Sequence, residues 1–584
     1  MRNRLFKYSR VVISLLFLAC TGFLFLDFAG TLSSTLINRI TWIQFAPSLL
    51  KFLSLLGFLT LGFLVVILTT VLVGRVYCST VCPLGILQDV IWRVSRFYRE
   101  RIRKRAKRYR PVPANDLLRY SLLGVTVLFL LFGSVFFLNL LDPFSLFGKI
   151  VSGIVRPLYY GMNNIAADYL QSRGVYTLYY VETRQLNLLP LIYPGLMLGL
   201  VVWLALTRGR LYCNTVCPVG SFLGLISRYS MYRIEIDQSL CTRCNQCSVN
   251  CKAQCIDLRH HRVDFTRCVG CFNCLNVCSA QGINYRNQWF NRARPVDRKP
   301  PGSKAAVERR THRRADQDPD PVTESLTGSR RSAGSGRRTF LFGVMVCLMG
   351  HSLASRIVRA GDRSAKPANA GGSKLHGREA DIRDDLDVVV TQPSTIPEDK
   401  QFPISPPGSI GLDHFNSLCT ACQLCVSACP TRVLQPSFLE HGFTGMMRPR
   451  MDFHSSFCRF DCVVCTEICP TGAILPLSLE QKHAVQIGVV KLELDNCVVR
   501  TEKTACGACA EHCPTQAVFM VPYQNGLTIP EIDVDHCVGC GACEYICPTR
   551  PYRAIYVDGN QRHVEATPPI IEALDYVPDD DFPF

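Results

Sequence analysis

The residues in this chain best suited to chemistry are its cysteines, 31 among 584 residues, and they are grouped rather than dispersed. Most fall into six quartets. The first two are Cys241, Cys244, Cys247 and Cys251, then Cys268, Cys271, Cys274 and Cys278. Two more are Cys419, Cys422, Cys425 and Cys429, then Cys458, Cys462, Cys465 and Cys469. The last are Cys497, Cys506, Cys509 and Cys513, then Cys537, Cys540, Cys543 and Cys547. In each, three thiolates on a tight loop would wrap one face of a [4Fe-4S] cubane. The fourth enters a short helix and ligates the neighbouring cluster. Pro430, Pro470, Pro514 and Pro548 each follow a fourth cysteine, as the bacterial ferredoxin run requires, whereas Cys251 and Cys278 lack that proline. One Cys-x2-Cys could hold zinc, and a secreted chain could use disulfides. Six quartets, four of them ending in Cys-Pro, point instead to six [4Fe-4S] clusters. Glycines in Cys506-Gly-Ala-Cys509 and Cys537-Val-Gly-Cys540-Gly-Ala-Cys543 let backbone N–H groups approach the cluster sulfurs.

The ligand swap assigns Cys241, Cys244, Cys247 and Cys278 to one cluster and Cys268, Cys271, Cys274 and Cys251 to the other. In the last four quartets the residues leave the pairing open. The outer two have regular spacing, and the middle two have widened gaps, Cys458-x3-Cys462 and Cys497-x8-Cys506.

A second class of cysteine lies in an internal repeat. GRVYCSTVCPLG at 74–85 returns as GRLYCNTVCPVG at 209–220, so Cys78, Cys82, Cys213 and Cys217 form two Cys-x3-Cys-Pro motifs. If two hairpins pack about a pseudo-twofold axis, the four thiols can converge. Three readings are open: a structural helix end broken by Pro83 and Pro218, a thiol pair beside a quinone pocket, and a further iron–sulfur site. Arg75 and Arg210 read mainly as interfacial anchors. Cys20 and Cys347, in apolar context, read as buried spectators. Cys255 lies near a cluster but outside any quartet.

Four apolar runs must carry these motifs, at roughly 11–29, 52–73, 117–140 and 191–207, the last extended backward by 186–190; a span takes about 20 residues. Arg2, Arg4, Lys7 and Arg10 precede the first run, and the loop 93–110 holds ten Lys and Arg. The first connection has only Arg39 and Lys51. Both ends of the unit are therefore expected in the cytoplasm. The expected organisation is a four-helix membrane domain (1–230), a two-cluster ferredoxin domain (231–290) and a disordered basic linker (291–338). A short hydrophobic segment (339–356), a second linker (357–409) and a four-cluster ferredoxin domain (410–584) follow. The fold class is thus an α-helical membrane unit with two α+β ferredoxin-like domains.

The net charge of +18 is unevenly spread. Residues 401–584 hold 11 Lys and Arg against 21 Asp and Glu, a balance of −10, which leaves +28 for the first 400. That split suggests two compartments or partners rather than a nucleic-acid binder, and an acidic last domain suited to a basic patch on a cytochrome or reductase. The first histidine is His260, so no span can ligate a b-type haem. No c-type haem, flavin or dinucleotide motif occurs. Electrons must enter from a membrane carrier or a protein partner. A hydrocarbon core about 30 Å thick would separate cluster sets on its two faces, so quinone diffusion or a partner is expected to bridge them.

With the repeat and the quartets in hand, residues 1–290 resemble the NapH-type membrane polyferredoxins. The chain from about residue 337 resembles the NapG/MauM-type four-cluster ferredoxins, which begin with a twin-arginine signal; here Arg337-Arg338-Thr339-Phe340-Leu341 precedes an apolar stretch. The resemblance implies a quinol dehydrogenase module in a bacterial inner membrane, passing electrons from the quinone pool to a periplasmic reductase or cytochrome. Its two-cluster domain would be cytoplasmic and its last domain periplasmic. Export of a folded, cluster-loaded domain avoids disulfide formation in an oxidising compartment. The rival readings are a redox-sensing regulator or assembly factor, and an anchor and electron wire of a larger complex. The middle quartets also resemble those of iron–sulfur subunits of molybdopterin oxidoreductases. That resemblance implies Cys547 with Cys419, Cys422 and Cys425, and Cys513 with Cys458, Cys462 and Cys465; sequential pairing is the alternative.

Overall fold

The apolar runs of the N-terminal region do form helices, but shorter and more broken ones than a simple span requires. A computed structural model describes residues 2–27, 30–55, 57, 60–103, 115–178, 180–181, 189–289 and 392–567. Its first helices are α1 (Arg2–Leu26), α2 (Ser34–Trp42), α3 (Phe45–Leu55) and α4 (Gly62–Val73). The first Cys-x3-Cys-Pro turn contains α5 (Tyr77–Thr80) and leads into α6 (Pro83–Arg103). Next come α7 (Asp116–Leu131), α8 (Phe136–Leu141), α9 (Pro143–Ile150) and α10 (Arg156–Gln171). Then α11 (Leu189–Arg208) leads through the second Cys-x3-Cys-Pro turn into α12 (Pro218–Ser227).

Among the described residues only two helical stretches, Lys7–Leu26 and Leu189–Arg208, are long and apolar enough to cross a membrane. The expectation of four such spans is corrected on this point. The run at 52–73 is divided: α3 ends at Leu55, and α4 has only 12 residues. The backbone groups freed at the break are taken up by buried Ser48, whose Oγ accepts from Phe63 N at 2.8 Å and donates to Thr60 O at 3.0 Å. The run at 117–140 breaks after Leu131, where Gly133 takes a left-handed φ of +75°. A second break follows at once. Asp142 caps α9, its Oδ2 accepting from Ser145 N at 2.8 Å with Pro143 at the first helical position.

The two-cluster domain is framed by β1 (Tyr232–Ile236), which pairs antiparallel with a closing strand 283–287, and holds an inner hairpin, β2 (Ile256–Asp257) with β3 (Arg262–Val263). The closing strand is β4 (Ile283–Asn287), with Ile236 opposite Ile283. The four-cluster domain contains two ferredoxin units. The first carries the hairpin β5 (Leu434–Pro436) with β6 (Pro449–Met451). The second repeats the β1–β4 plan: β7 (Val485–Leu492) pairs antiparallel with β10 (Ile555–Glu565) around an inner hairpin, β8 (Val518–Pro522) with β9 (Thr528–Ile532). Gly539, at φ +69°, lets a cysteine loop touch β7; a Cβ there would lie 2.4 Å from Gly488 O.

The two cluster-bearing regions attach to opposite ends of the helical unit. Tyr285 of the two-cluster domain donates to Val73 O at the C-terminal end of α4 (3.1 Å), and Arg119 near the start of α7 donates to Thr266 O (2.6 Å). At the other end, beyond α7, Phe136 stacks against Phe443 and Asn139 Nδ2 donates to Met446 O (2.9 Å). The expected linker 291–338, the segment 339–356 with the twin arginine and Cys347, and most of 357–409 lie outside the described residues, as do 568–584.

Candidate iron–sulfur centres

Each regular quartet is bent by one residue. Two positions before the third cysteine, Asn245, Phe272, Gln423 and Gly541 take left-handed φ values of 62°, 55°, 68° and 79°. That bend turns a loop of three cysteines inward and starts the short helix that carries the third and leads to the fourth. The widened quartets lack it: Val463 and Gly507 sit at φ −118° and −132°.

In the first domain the structure brings together the sets expected from the swap. Cys241, Cys244, Cys247 and Cys278 line one pocket. Cys271 and Cys274 lie within electrostatic reach of both Cys268 and Cys251. Cys255 is buried beside that second set, with its Sγ 3.5 Å from Cys251 Sγ and in hydrogen-bond contact with Cys268.

In the last domain the outer-to-outer pairing is corrected. Cys497, Cys506 and Cys509 share a pocket with Cys547, and Cys458, Cys462 and Cys465 share one with Cys429. Cys419, Cys422 and Cys425 face Cys469, and Cys537, Cys540 and Cys543 face Cys513. The pairing is sequential because each ferredoxin unit closes on itself. β7 and β10 enclose the last two quartets as β1 and β4 enclose the first two.

Each of these sets brings four thiols together, the donor set of a [4Fe-4S] cubane. A tetrahedral zinc with Zn–S of about 2.3 Å holds its sulfurs about 3.8 Å apart. Among the described residues, the one group of three ligand atoms mutually within 4.8 Å is Glu398, His454 and Glu544, with no cysteine in it. The Glu398 group is itself filled by an ammonium, for Lys400 Nζ lies 3.0 Å from Glu398 and 2.5 Å from Glu544. Burial pushes the Glu544 carboxyl up, although Lys400 and the Val557 N–H both oppose the shift. Lys400→Met is expected to lower stability by about 3 kcal/mol, because it leaves the wholly buried Glu544 beside Cys543 without its ammonium partner. Denaturant-induced loss of cluster absorbance measures it, and an unchanged midpoint would refute the assignment.

The repeat cysteines also meet. Cys78, Cys82, Cys213 and Cys217 are all buried, and Cys217 lies within electrostatic reach of the other three. In each copy the turn is widened by one residue: Cys82 N donates to Tyr77 O and Cys217 N to Tyr212 O, both at 3.0 Å. Arg75 and Arg210 are not interfacial anchors but fully buried side chains that cross over between the copies. Arg75 Nη2 donates to Cys213 O (3.1 Å), and Arg210 Nη1 donates to Cys78 O (2.6 Å). Cys20, expected to be buried, is exposed on the outer face of α1. Residues the sequence reading missed are Gln88, whose Nε2 is 3.4 Å from Cys213 Sγ, and Asp89, which binds Arg210 at 2.7 Å.

Comparison with known proteins agrees with the cluster chemistry. A 4Fe-4S binding domain family matches residues 55–105 and 191–233, and a 4Fe-4S dicluster domain family matches 418–473 and 504–550. The methylamine utilization ferredoxin-type protein MauM of Methylophilus methylotrophus is 34% identical over 144 residues, 23% of this chain and 62% of that protein. The ferredoxin-type proteins NapF and NapG of Escherichia coli are 28% and 29% identical over 136 and 147 residues, each 23% of this chain and respectively 74% and 62% of theirs. The chain spans 62% and 60% of the length of the two MauM proteins it matches. No solved structure matches. The matched regions are ferredoxin-type 4Fe-4S domains related to MauM, NapF and NapG.

Proposed function

We propose that this chain, an iron–sulfur electron-transfer protein with ferredoxin-type domains, is a membrane-bound relay that binds six [4Fe-4S] clusters in the pairs described above. It takes electrons from membrane quinol and delivers them to a soluble reductase or cytochrome. The observation that carries the reading is the seat of the Cys419 loop. Cys422 and Leu424 belong to the same apolar core as Phe25 of α1 and Phe144 of α9. Gly148 of α9 approaches so closely that a Cβ there would lie 2.2 Å from Cys422 O. Ser145 Oγ donates to Thr420 Oγ1 at 2.9 Å, and Arg156 Nη2 donates to Ser427 O at 2.8 Å. A lipid-soluble two-electron donor can reach one-electron centres only where a centre meets apolar helices, and this loop meets them.

The membrane placement draws on several features. Two helices have the length and apolarity of a span. The broken helices between them are packed against protein, where irregular backbone at membrane depth is tolerated. Ten basic residues in 93–110 support a cytoplasmic α6 end, and with it a cytoplasmic two-cluster domain. The four-cluster domain, at the other end, would then be periplasmic, in keeping with the twin-arginine segment before it and with the NapH-like character of the first 290 residues.

The test is EPR of the purified full-length protein with a quinol analogue as the only reductant. Reduced-cluster signals are expected. Reduction by dithionite but not by quinol would overturn quinol oxidation and make the chain an electron wire of a larger complex.

A further inference from the structure

We infer that two buried cations, Lys149 of α9 and Arg448 of the four-cluster domain, raise the reduction potential of the centre held by Cys419, Cys422, Cys425 and Cys469, and so make it the electron-accepting end of that domain. The inference deepens the quinol reading above and rests on it for the identity of the donor alone.

The first argument is position. Lys149 is 0% and Arg448 2% exposed. Lys149 follows Gly148, the residue that lies directly against Cys422 O. Its Nζ donates to Asn139 O and to Asn139 Oδ1, both at 2.6 Å, and sits 5.3 Å from the centre of the Tyr193 ring. Those three partners serve the three hydrogens of an ammonium, and all of them are neutral. Asn139 is in turn fixed by Met446 O at 2.9 Å. The next residue along, Met447, accepts through its carbonyl from Gln423 Nε2 at 2.5 Å, within the Cys422–Cys425 loop. Arg448 then donates from Nε to Cys419 O at 3.3 Å and from its Nη atoms to Asn416 Oδ1 and Asn416 O at 2.9 and 2.6 Å. The strip 446–448 therefore ties both cations to one cysteine loop.

The second argument is charge. Among the described residues neither cation has a carboxylate within ion-pair distance, and every hydrogen-bond acceptor named above is neutral. Asp142 lies within electrostatic reach of Lys149, but its Oδ2 is engaged in capping α9. Cys419 is within reach of both cations, and Cys422 within reach of Lys149. Reduction adds one electron to the cubane; the centre forms and breaks no bond and takes up no proton. Cations that water does not screen stabilise that added negative charge, and net charge near a cubane is one of the levers on its potential. The Cys537 centre has different surroundings. Wholly buried Glu544 follows Cys543 in the chain, and Lys400 beside it is paired with Glu544 and Glu398. Ferredoxin-type cubanes are strong reductants and a quinol is a mild one, so a cubane filled by quinol needs such a lift. A quinol that fills the centre twice in succession becomes quinone and releases its two protons to water.

A mediator-equilibrated redox titration of the full-length protein, followed by EPR, tests the inference. The component belonging to this centre is the one absent from Cys422→Ser. In Lys149→Met its ratio of reduced to oxidised form at a fixed ambient potential is expected to fall about tenfold, equivalent to about 59 mV for one electron, while the other components stay in place. If that variant does not accumulate, Lys149→Gln replaces it, being neutral yet able to donate to Asn139. Arg448→Gln is expected to move the component in the same direction, and Arg448→Lys, which keeps the charge, to leave it in place. A component unmoved in the neutral variants, moved as far by Arg448→Lys, or accompanied by an equal fall in every other component would overturn the electrostatic role. A purely structural Lys149 would lower the unfolding midpoint and leave the ratio alone. With a quinol as the only reductant, the component is expected to fill about tenfold more slowly in Lys149→Met than in the native protein, in line with the shifted equilibrium. Equal rates would overturn its place as the accepting end. The titration uses no quinol, so a native protein that quinol fails to reduce defeats the quinol reading and leaves the titration result standing.

Discussion

Replacing Cys497 and Cys547 together is expected to cost no more iron than replacing either alone, whereas replacing Cys419 and Cys547 together should remove iron from two centres. Each [4Fe-4S] centre holds about four irons, and a centre that loses one thiolate sheds some or all of them. If Cys547 completes the centre of Cys497, Cys506 and Cys509, the second substitution in the first pair strikes a site already broken. Outer-to-outer pairing predicts the reverse: Cys419 with Cys547 would be the redundant pair. Iron per chain, read across the three single and two double variants, therefore distinguishes the two schemes through additivity, because independent sites add and members of one site do not. The matching experiment on Cys419 with Cys469 is expected to be redundant in the same way, since those thiols face one another. The effect is large because a whole redox centre is at stake, and a break in the series would interrupt the electron path through the domain.

What the sequence disclosed about these centres follows from what is local. A cluster loop is built from residues a few positions apart, so all six quartets were legible in spacing alone, and so was the swap within the first domain. The pairing in the last domain was not, because it depends on β7 meeting β10 across more than sixty intervening positions. The widened gap between Cys497 and Cys506 suggested a likeness to other iron–sulfur subunits. In the structure the inserted residues form the short helix Val498–Thr501 and leave the ligand set within its own unit. The helical unit was misjudged for a related reason. Hydropathy sees that 52–73 is apolar, but not that Ser48 can take the place of a missing helical partner and let the chain turn. Arg75 and Arg210 looked like anchors because arginine at the end of an apolar run ordinarily reaches for water or headgroups. Their burial comes from contacts between the copies, which only the folded chain displays.

The repeat itself held a signal that could have found more. Tyr77 and Tyr212 recur in it, and each anchors the start of a broken helix. Tyr77 Oη is 3.2 Å from Phe45 N at the head of α3, and Tyr212 Oη is 3.1 Å from Leu141 O just before α9. Where the copies differ is also informative. The position of Asp89 in the first copy is taken in the second by Gly224, where a Cβ would lie 1.9 Å from Arg119 Nη2. The first copy thus answers the second copy's buried arginine with a carboxylate, and the second opens room for another guanidinium.

Asp89→Asn should therefore be the most damaging single change outside the cluster ligands, at a cost of about 3–5 kcal/mol near neutral pH. Its carboxylate is 13% exposed and lies 2.7 Å from Arg210, 3.1 Å from Lys252 and 3.6 Å from Arg10. These groups belong to the turn before the second motif, to the two-cluster domain and to α1, so one charge ties three parts of the chain together. Asparagine keeps the shape and loses the charge, leaving three buried cations without their carboxylate partner. Burial pushes the Asp89 carboxyl up, but Arg210, Lys252 and Arg10 outweigh it and hold the group well below the usual carboxylate range. A carboxyl depressed in the folded state contributes stability that is fully present above the unfolded value of about 4 and is lost as pH falls through the folded one. The native protein should accordingly lose this contribution only on acidification below about pH 4, and the variant should show no such acid-dependent component. Denaturant titrations followed by cluster absorbance, run from pH 7 down to pH 3, measure both effects. Equal midpoints at neutral pH would show that the cations around the thiol site are balanced by something other than Asp89.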